Sequence, residues 1–167
     1  MAGLAVTPLR VVAGHRTNSA RWSTAALAAA LLSLVGAWIH FAFVSSHWRD
    51  WWAYGAFFLV SGLFQGLFAA AMLKWPNRWT ALVGIAGNLA IVGMYVMSRT
   101  YGIPSGPHAG IVEKATVVDL GCTAGEIVLV GILLGMVGTT SRRLIINLLL
   151  VVGVALWFLR LTNNPLV

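Results

Sequence analysis

The stretch VVDLGCTAGEIVLVGILLGMV, Val117 to Val137, decides how the rest of the chain is read. It is apolar and long enough to cross a bilayer, which needs about 20 such residues. It nevertheless carries Asp119, Cys122 and Glu126 at spacings of three and four, so all three lie on one helical face. A carboxylate at the centre of a membrane helix costs roughly 2.5–3.5 kcal/mol on insertion scales. Glu126 therefore has to face protein, and the segment has to belong to a bundle.

Four further runs have the same character: Thr24–Val44, Trp51–Leu73, Trp79–Met97 and Leu144–Leu159. Of the 167 residues 59% are hydrophobic and only 9% are charged. This composition excludes an ordinary soluble domain and implies an all-α integral membrane bundle of five transmembrane helices spanning residues 24–161. Residues 1–23 read as a cytoplasmic N-terminal tail, 98–116 as an outer loop and 162–167 as a C-terminal tail. The first run is too long for a signal-peptide core and no A-x-A site follows it, so it is read as a span.

The net charge of +7 does not point to nucleic acid. Its cations sit between apolar runs, where topology and anionic lipid account for them. With the N-terminus inside, Arg10, Arg16, Arg21, Lys74, Arg78, Arg142 and Arg143 are cytoplasmic, whereas Arg49, Arg99, Lys114 and Arg160 are outside. The excess of seven over four predicts an N-in, C-out protein of a bacterial plasma membrane.

That orientation gathers the chemistry on the outer side. All four acids (Asp50, Glu113, Asp119 and Glu126) fall there with His40, His47 and His108, while His15 stays in the inner tail. Helical spacing sorts the polar groups into stripes: Ser33, Gly36 and His40 on the first span; Asp50, Tyr54, Ser61 and Gln65 on the second; Asn88, Tyr95 and Arg99 on the third; Asp119, Cys122 and Glu126 on the fourth. Pointed at a common interior, they make a site with Gln65 and Asn88 as its floor and His40, Asp119 and Arg99 nearer its mouth. Arg99 is the cation that pairs with Asp119 or Glu126. The fifth span carries only Asn147 and is expected at the periphery or against a partner.

Two imidazoles and two carboxylates, His40, His47, Asp119 and Glu126, suit copper, zinc or iron better than calcium or magnesium. Met94 and Met97 offer softer donors for copper, and Cys122 a thiolate. No HxH, HExxH or CxxC occurs, and the alternative for the histidines is hydration at the interface. Haem is disfavoured, because no second histidine matches the depth of His40. Trp48, Trp51, Trp52, Tyr54 and Tyr95 read as interfacial aromatics. No nucleotide loop or GxSxG elbow is present, so nothing points to an ordinary hydrolase. Gly62/Gly66 and Gly131/Gly135 form GxxxG patterns through which a homo-oligomer or a membrane-protein partner is expected to pack.

The combination IHFAFVSSHWRDWWAYGAFFLVSGLFQ, a mid-span Asn, and SRTYGIPSGPHAGIVEKATVVDLGCTAGEI resembles a group of small multi-pass membrane proteins of actinobacteria and related bacteria. The shared pattern covers roughly residues 39–127. It comprises a His ending one helix, a second His a few residues on, W-x-x-x-G-x-F-F opening the next, and SRT-x-G-[IL]-P-x-G-P followed by E, D and E. The resemblance implies a shared polar site and names no activity. Here the loop acid Glu113 is followed by Lys114 in EKA where the group has E-P-[VI]-G, which weakens the case for a role of Glu113.

The resulting expectation is an outward-facing His/Asp/Glu site that binds a transition metal, in metal handling or a redox step at the outer leaflet. An accessory subunit of a larger complex is the alternative, and small-solute transport a weaker one.

Overall fold

A computed structural model of the protein describes residues 9–163, with side chains from 22 to 158. Residues 1–8 of the N-terminal tail and 164–167 of the C-terminal tail lie outside the described residues. Among the described residues the architecture is all-α, with five helices: α1 (Leu9–Asp50), α2 (Trp52–Lys74), α3 (Arg78–Thr100), α4 (Val117–Met136) and α5 (Thr139–Asn163). Each is long and apolar enough to cross a membrane. Helices α1–α4 form one compact unit, and the segment from Val137 onward, which contains α5, forms a second.

In the first unit α1 packs on α2 and α4, and α3 packs on α4 and α2. The α1 face at this contact is made of small side chains: Ala26, Ala29, Ala30, Ser33 and Ala37 are buried, as is His40. Their spacing of three and four is that of one helical stripe, and their size lets the neighbouring backbones approach closely. Ser33 Oγ takes advantage of this by donating to the Gln65 carbonyl of α2 at 2.8 Å. Larger groups, among them Phe68, Met72, Ile85 and Leu133, fill the remaining core. Leu31, Trp38, Leu67, Val83 and Ile127 are exposed on the outer faces, as expected of side chains that meet lipid.

The element ends differ from the sequence reading at specific residues. Helix α1 continues past Val44 to Asp50, because Ser46 Oγ and His47 Nδ1 both bond the Phe43 carbonyl and Arg49 bonds Ser45 Oγ. His47 and Arg49 in the last turn also suit the negative end of the helix dipole. From Trp22 to Asp50 this helix measures about 43 Å at 1.5 Å per residue, which exceeds a hydrocarbon core of about 30 Å. At its other end α1 begins at Leu9, so part of the stretch read as a tail is helical.

Helix α3 starts where Asn77 Oδ1 accepts from the amides of Trp79 at 2.8 Å and Thr80 at 3.2 Å, an Asn N-cap. Helix α4 starts on a reciprocal pair: Thr116 N donates to Asp119 Oδ2 at 3.0 Å, and Asp119 N to Thr116 Oγ1 at 3.2 Å. This is a capping box with Asp in the acidic position.

Candidate metal-binding cavity

The loop between α3 and α4 and the turn between α1 and α2 meet at one end of the four-helix unit. Tyr54 Oη donates to the Ser105 carbonyl at 3.1 Å, and the Glu113 amide donates to the Ser98 carbonyl at 3.1 Å. Two glycines let the loop lie this close. Gly102 and Gly106 have φ of 76° and 94°, conformations that resist a side chain. A Cβ on Gly106 would also sit 2.6 Å from the Trp51 ring and 2.7 Å from Tyr54 Oη.

Below the loop lies a cavity of about 300 Å³. Apolar and aromatic side chains make most of its wall, and two sets of ionisable residues stand out among the polar ones. Near the loop, Arg99 bonds Glu113 through Nη1 and Asp119 through Nη2, the latter at 2.8 Å. Its guanidinium lies over the Tyr95 ring, 4.9 Å from the centroid. Arg99 thus pairs with Asp119 and with the loop acid Glu113, and no ion pair with Glu126 is present among the described residues.

One to two helical turns further along α4 lie Cys122 and Glu126, facing His40 of α1. Glu126 Oε1 is 4.0 Å from His40 Nε2 and 3.9 Å from Cys122 Sγ. One ligand atom from each of His40, Cys122 and Glu126 lies within 4.8 Å of the others, and this is the one such group among the described residues. His40 and Glu126 are buried, 5% and 4% exposed, and Cys122 is half-buried.

The bonds around this group have a fixed direction. His40 Nδ1 is 2.9 Å from the Gly36 carbonyl, which can only accept, so Nδ1 carries a proton and, when the ring is neutral, its lone pair is at Nε2. Beneath, Gln65 Nε2 gives its hydrogens to Asn88 Oδ1 at 3.1 Å and Glu126 Oε1 at 3.0 Å, while Asn88 Nδ2 donates to the Gly84 carbonyl at 2.8 Å. Gln65 and Asn88 are fully buried. Gln65 Oε1 has no partner, and the second oxygen of Glu126 takes no hydrogen bond among the described residues. The hydrogen bonds of the floor run among its own side chains or to the backbone, and Gln65 Oε1 and the second Glu126 oxygen are left with free lone pairs. Such a floor suits an electron-poor guest.

Of the four residues grouped from sequence as ligands, His40 and Glu126 come together. His47 and Asp119 line the same cavity outside that group. His47 stacks on Phe58, with centroids 3.9 Å apart, and bonds the Phe43 carbonyl at 2.9 Å. Asp119 is engaged by Arg99 and by the α4 cap. The third donor is Cys122, read from sequence as a supporting residue. Tyr54, Tyr95, Arg99 and Glu113 line the cavity, Gln65 and Asn88 support its floor, and Asp50 and His108 are exposed and take no part in its wall.

Gly36 supports the site through its size, since a Cβ there would lie 2.6 Å from Gln65 Oε1. Of the GxxxG glycines, a Cβ on Gly62 would lie 3.0 Å from the Phe41 ring, whereas one on Gly66, Gly131 or Gly135 would meet nothing within 4 Å among the described residues. Met94 lines the cavity and Met97 does not. In comparisons with protein-family models, curated proteins and solved structures, the chain matches none of them.

Proposed function

We propose that this multi-pass membrane protein binds a borderline transition-metal ion, zinc or copper, between His40, Cys122 and Glu126, in a cavity that faces the outer side of a bacterial plasma membrane. The observation that carries the reading is the convergence of three donor atoms within 4.8 Å, from helices 82 to 86 residues apart in sequence, with the His40 tautomer held by Gly36. A backbone carbonyl on the far nitrogen is the usual way a metal-ligating histidine is oriented.

The donor set fits. A nitrogen, a thiol sulfur and a carboxylate oxygen favour zinc or copper over calcium or magnesium, which take oxygen alone. Tetrahedral sites with bonds of about 2.0–2.3 Å set their ligand atoms roughly 3.3–3.8 Å apart. The two separations at Glu126, 4.0 and 3.9 Å, need to contract by only a few tenths of an ångström. A divalent ion with one thiolate and one carboxylate leaves the floor neutral, which removes the cost of a lone carboxylate in the membrane. Three protein ligands also leave one position open toward the cavity. The role that follows is metal handling, or a metal-centred step at the outer leaflet. The outward orientation rests on the excess of basic residues in the opposite loops.

The test is metal analysis of purified protein after chelation and reloading with zinc or copper. Wild type should take up close to one equivalent. His40→Ala, Cys122→Ser and Glu126→Gln should each lose most of it, while His47→Ala and Asp119→Asn keep it. Loading should fall away in acid, where protons compete with the ion for the imidazole and the thiolate. A correctly folded wild type that stays empty after both metals are offered would sink the proposal.

A further inference from the structure

The cavity is much larger than an ion and its water require. It encloses about 300 Å³, against roughly 30 Å³ for a water molecule, which puts it at the lower end of small-molecule sites. Three properties of the space narrow what it holds. Its wall between the loop and the metal group is apolar and largely aromatic, made by Phe43, Phe57, Phe58, Ile91, Met94 and Tyr95. Flat rings packed on such walls gain more than their area alone provides.

The second property is charge. At the mouth Arg99 is outnumbered by Glu113 and Asp119, a net charge of one negative when all three are ionised, which disfavours an anionic guest. A charged guest of either sign would also have to give up its hydration to a wall that is mostly apolar, which costs more than one net charge at the mouth returns, so the guest is neutral. The third property is the open coordination position, which calls for a donor atom at one end of that guest. Asp119, Cys122 and Glu126 follow one another along α4, so the metal group lies about 5–10 Å below the ion pairs at the mouth. That depth accommodates one or two fused rings.

Resting on the metal reading above, we infer that the cavity takes a neutral, lipid-soluble aromatic alcohol of the phenol or hydroquinone class, its ring against the apolar wall that includes Phe58 and its hydroxyl over His40, Cys122 and Glu126. The bilayer is the reservoir for such a molecule, and the aromatic wall selects its body. The metal selects its oxygen.

Cobalt(II) provides a readout that separates the two claims. Chelator-stripped protein in zwitterionic lipid nanodiscs is loaded with cobalt, which should produce a thiolate-to-cobalt charge-transfer band that Cys122→Ser abolishes. Added 2-naphthol should then shift the cobalt d–d bands saturably and bind at least tenfold more tightly than 2-methoxynaphthalene or naphthalene in competition. Phe58→Ala, or Phe58→Leu if the alanine variant does not hold cobalt, should keep the charge-transfer band and weaken naphthol at least fivefold. A charge-transfer band with d–d bands that naphthol leaves unmoved would overturn this inference and spare the metal site. Equal binding of naphthol and its methyl ether would overturn it as well. No charge-transfer band at all would overturn the metal reading and this inference with it.

Discussion

Replacing Gln65 by leucine tests whether the buried floor exists as described. The side chains are similar in volume, so the perturbation is to hydrogen bonds more than to packing. The wild-type amide donates to Asn88 Oδ1 at 3.1 Å and Glu126 Oε1 at 3.0 Å, and none of the three residues is more than 4% exposed. The leucine side chain, with no donor of its own, would leave Asn88 Oδ1 bare and Glu126 Oε1 with only the weak thiol donor of Cys122 at 3.9 Å. In a soluble interior each orphan costs about 1–3 kcal/mol. In membranes the unfolded reference also finds partners, and measured interhelical bonds average about 0.6 kcal/mol with a maximum near 1.7. Two bonds then give between about 1.2 and 3.4 kcal/mol on that scale. The bond to a carboxylate belongs in the upper half, so the expected loss is about 2–3 kcal/mol. Reversible unfolding in mixed micelles of increasing SDS fraction measures it.

Gly36 supplies a second, coupled measurement. A Cβ at this position would lie 2.6 Å from Gln65 Oε1 and 2.9 Å from Nε2, so Gly36→Ala displaces the same amide. In a Gln65→Ala background that space is free, and the two substitutions should be sub-additive by about 1 kcal/mol or more, the coupling expected of side chains in direct contact. A Gln65→Leu protein within about 0.5 kcal/mol of wild type, the usual scatter of a neutral substitution, together with additive effects at Gly36, would refute the network.

Two other outcomes follow from the ion pairs and the loops. Arg99→Ala should destabilise by about 1–3 kcal/mol, less than the roughly 3–5 of a fully buried pair because the Glu113 side chain is 46% exposed, and Arg142→Ala should change almost nothing; equal small effects in SDS unfolding would show that Arg99 only faces water. In a Cys122→Ala background, a cysteine at Ser105 should react with an impermeant reagent added from outside and one at Asn77 should not; the reverse pattern would invert the topology.

Hydropathy makes the five spans legible, and helical spacing picks out Ser33, His40, Gln65, Asn88 and Glu126, all of which are buried. Both are local properties of a helix, so one sequence carries them. The end of α1 escapes such a reading because SSHWRD is polar, yet side-chain bonds to Phe43 and Ser45 keep its turns helical. Asp119 draws notice for its charge, although the Thr116-x-x-Asp119 spacing is itself a cap signal. Cys122 could have been promoted by the same arithmetic, since it is four residues from Glu126 and shares its face. The stacking of His47 on Phe58 depends on how α1 and α2 register against each other, which no spacing within one helix encodes.

The loop between α3 and α4 is tied at its neck: the Glu113 amide holds the Ser98 carbonyl, and Arg99 holds the Glu113 carboxylate. A second tie, from Tyr54 to Ser105, fixes the side nearest the cavity. Beyond these ties Pro107, His108 and Ala109 form an exposed tip. Chain added there does not have to close the loop anew, because its ends are already held together. Doubling the length of such a segment costs only about 0.6 kcal/mol in closure entropy. The tip between His108 and Ala109 is therefore the place where a peptide tag or a reporter domain can be inserted with the cavity left standing. The same insertion next to Glu113 would pull apart the neck.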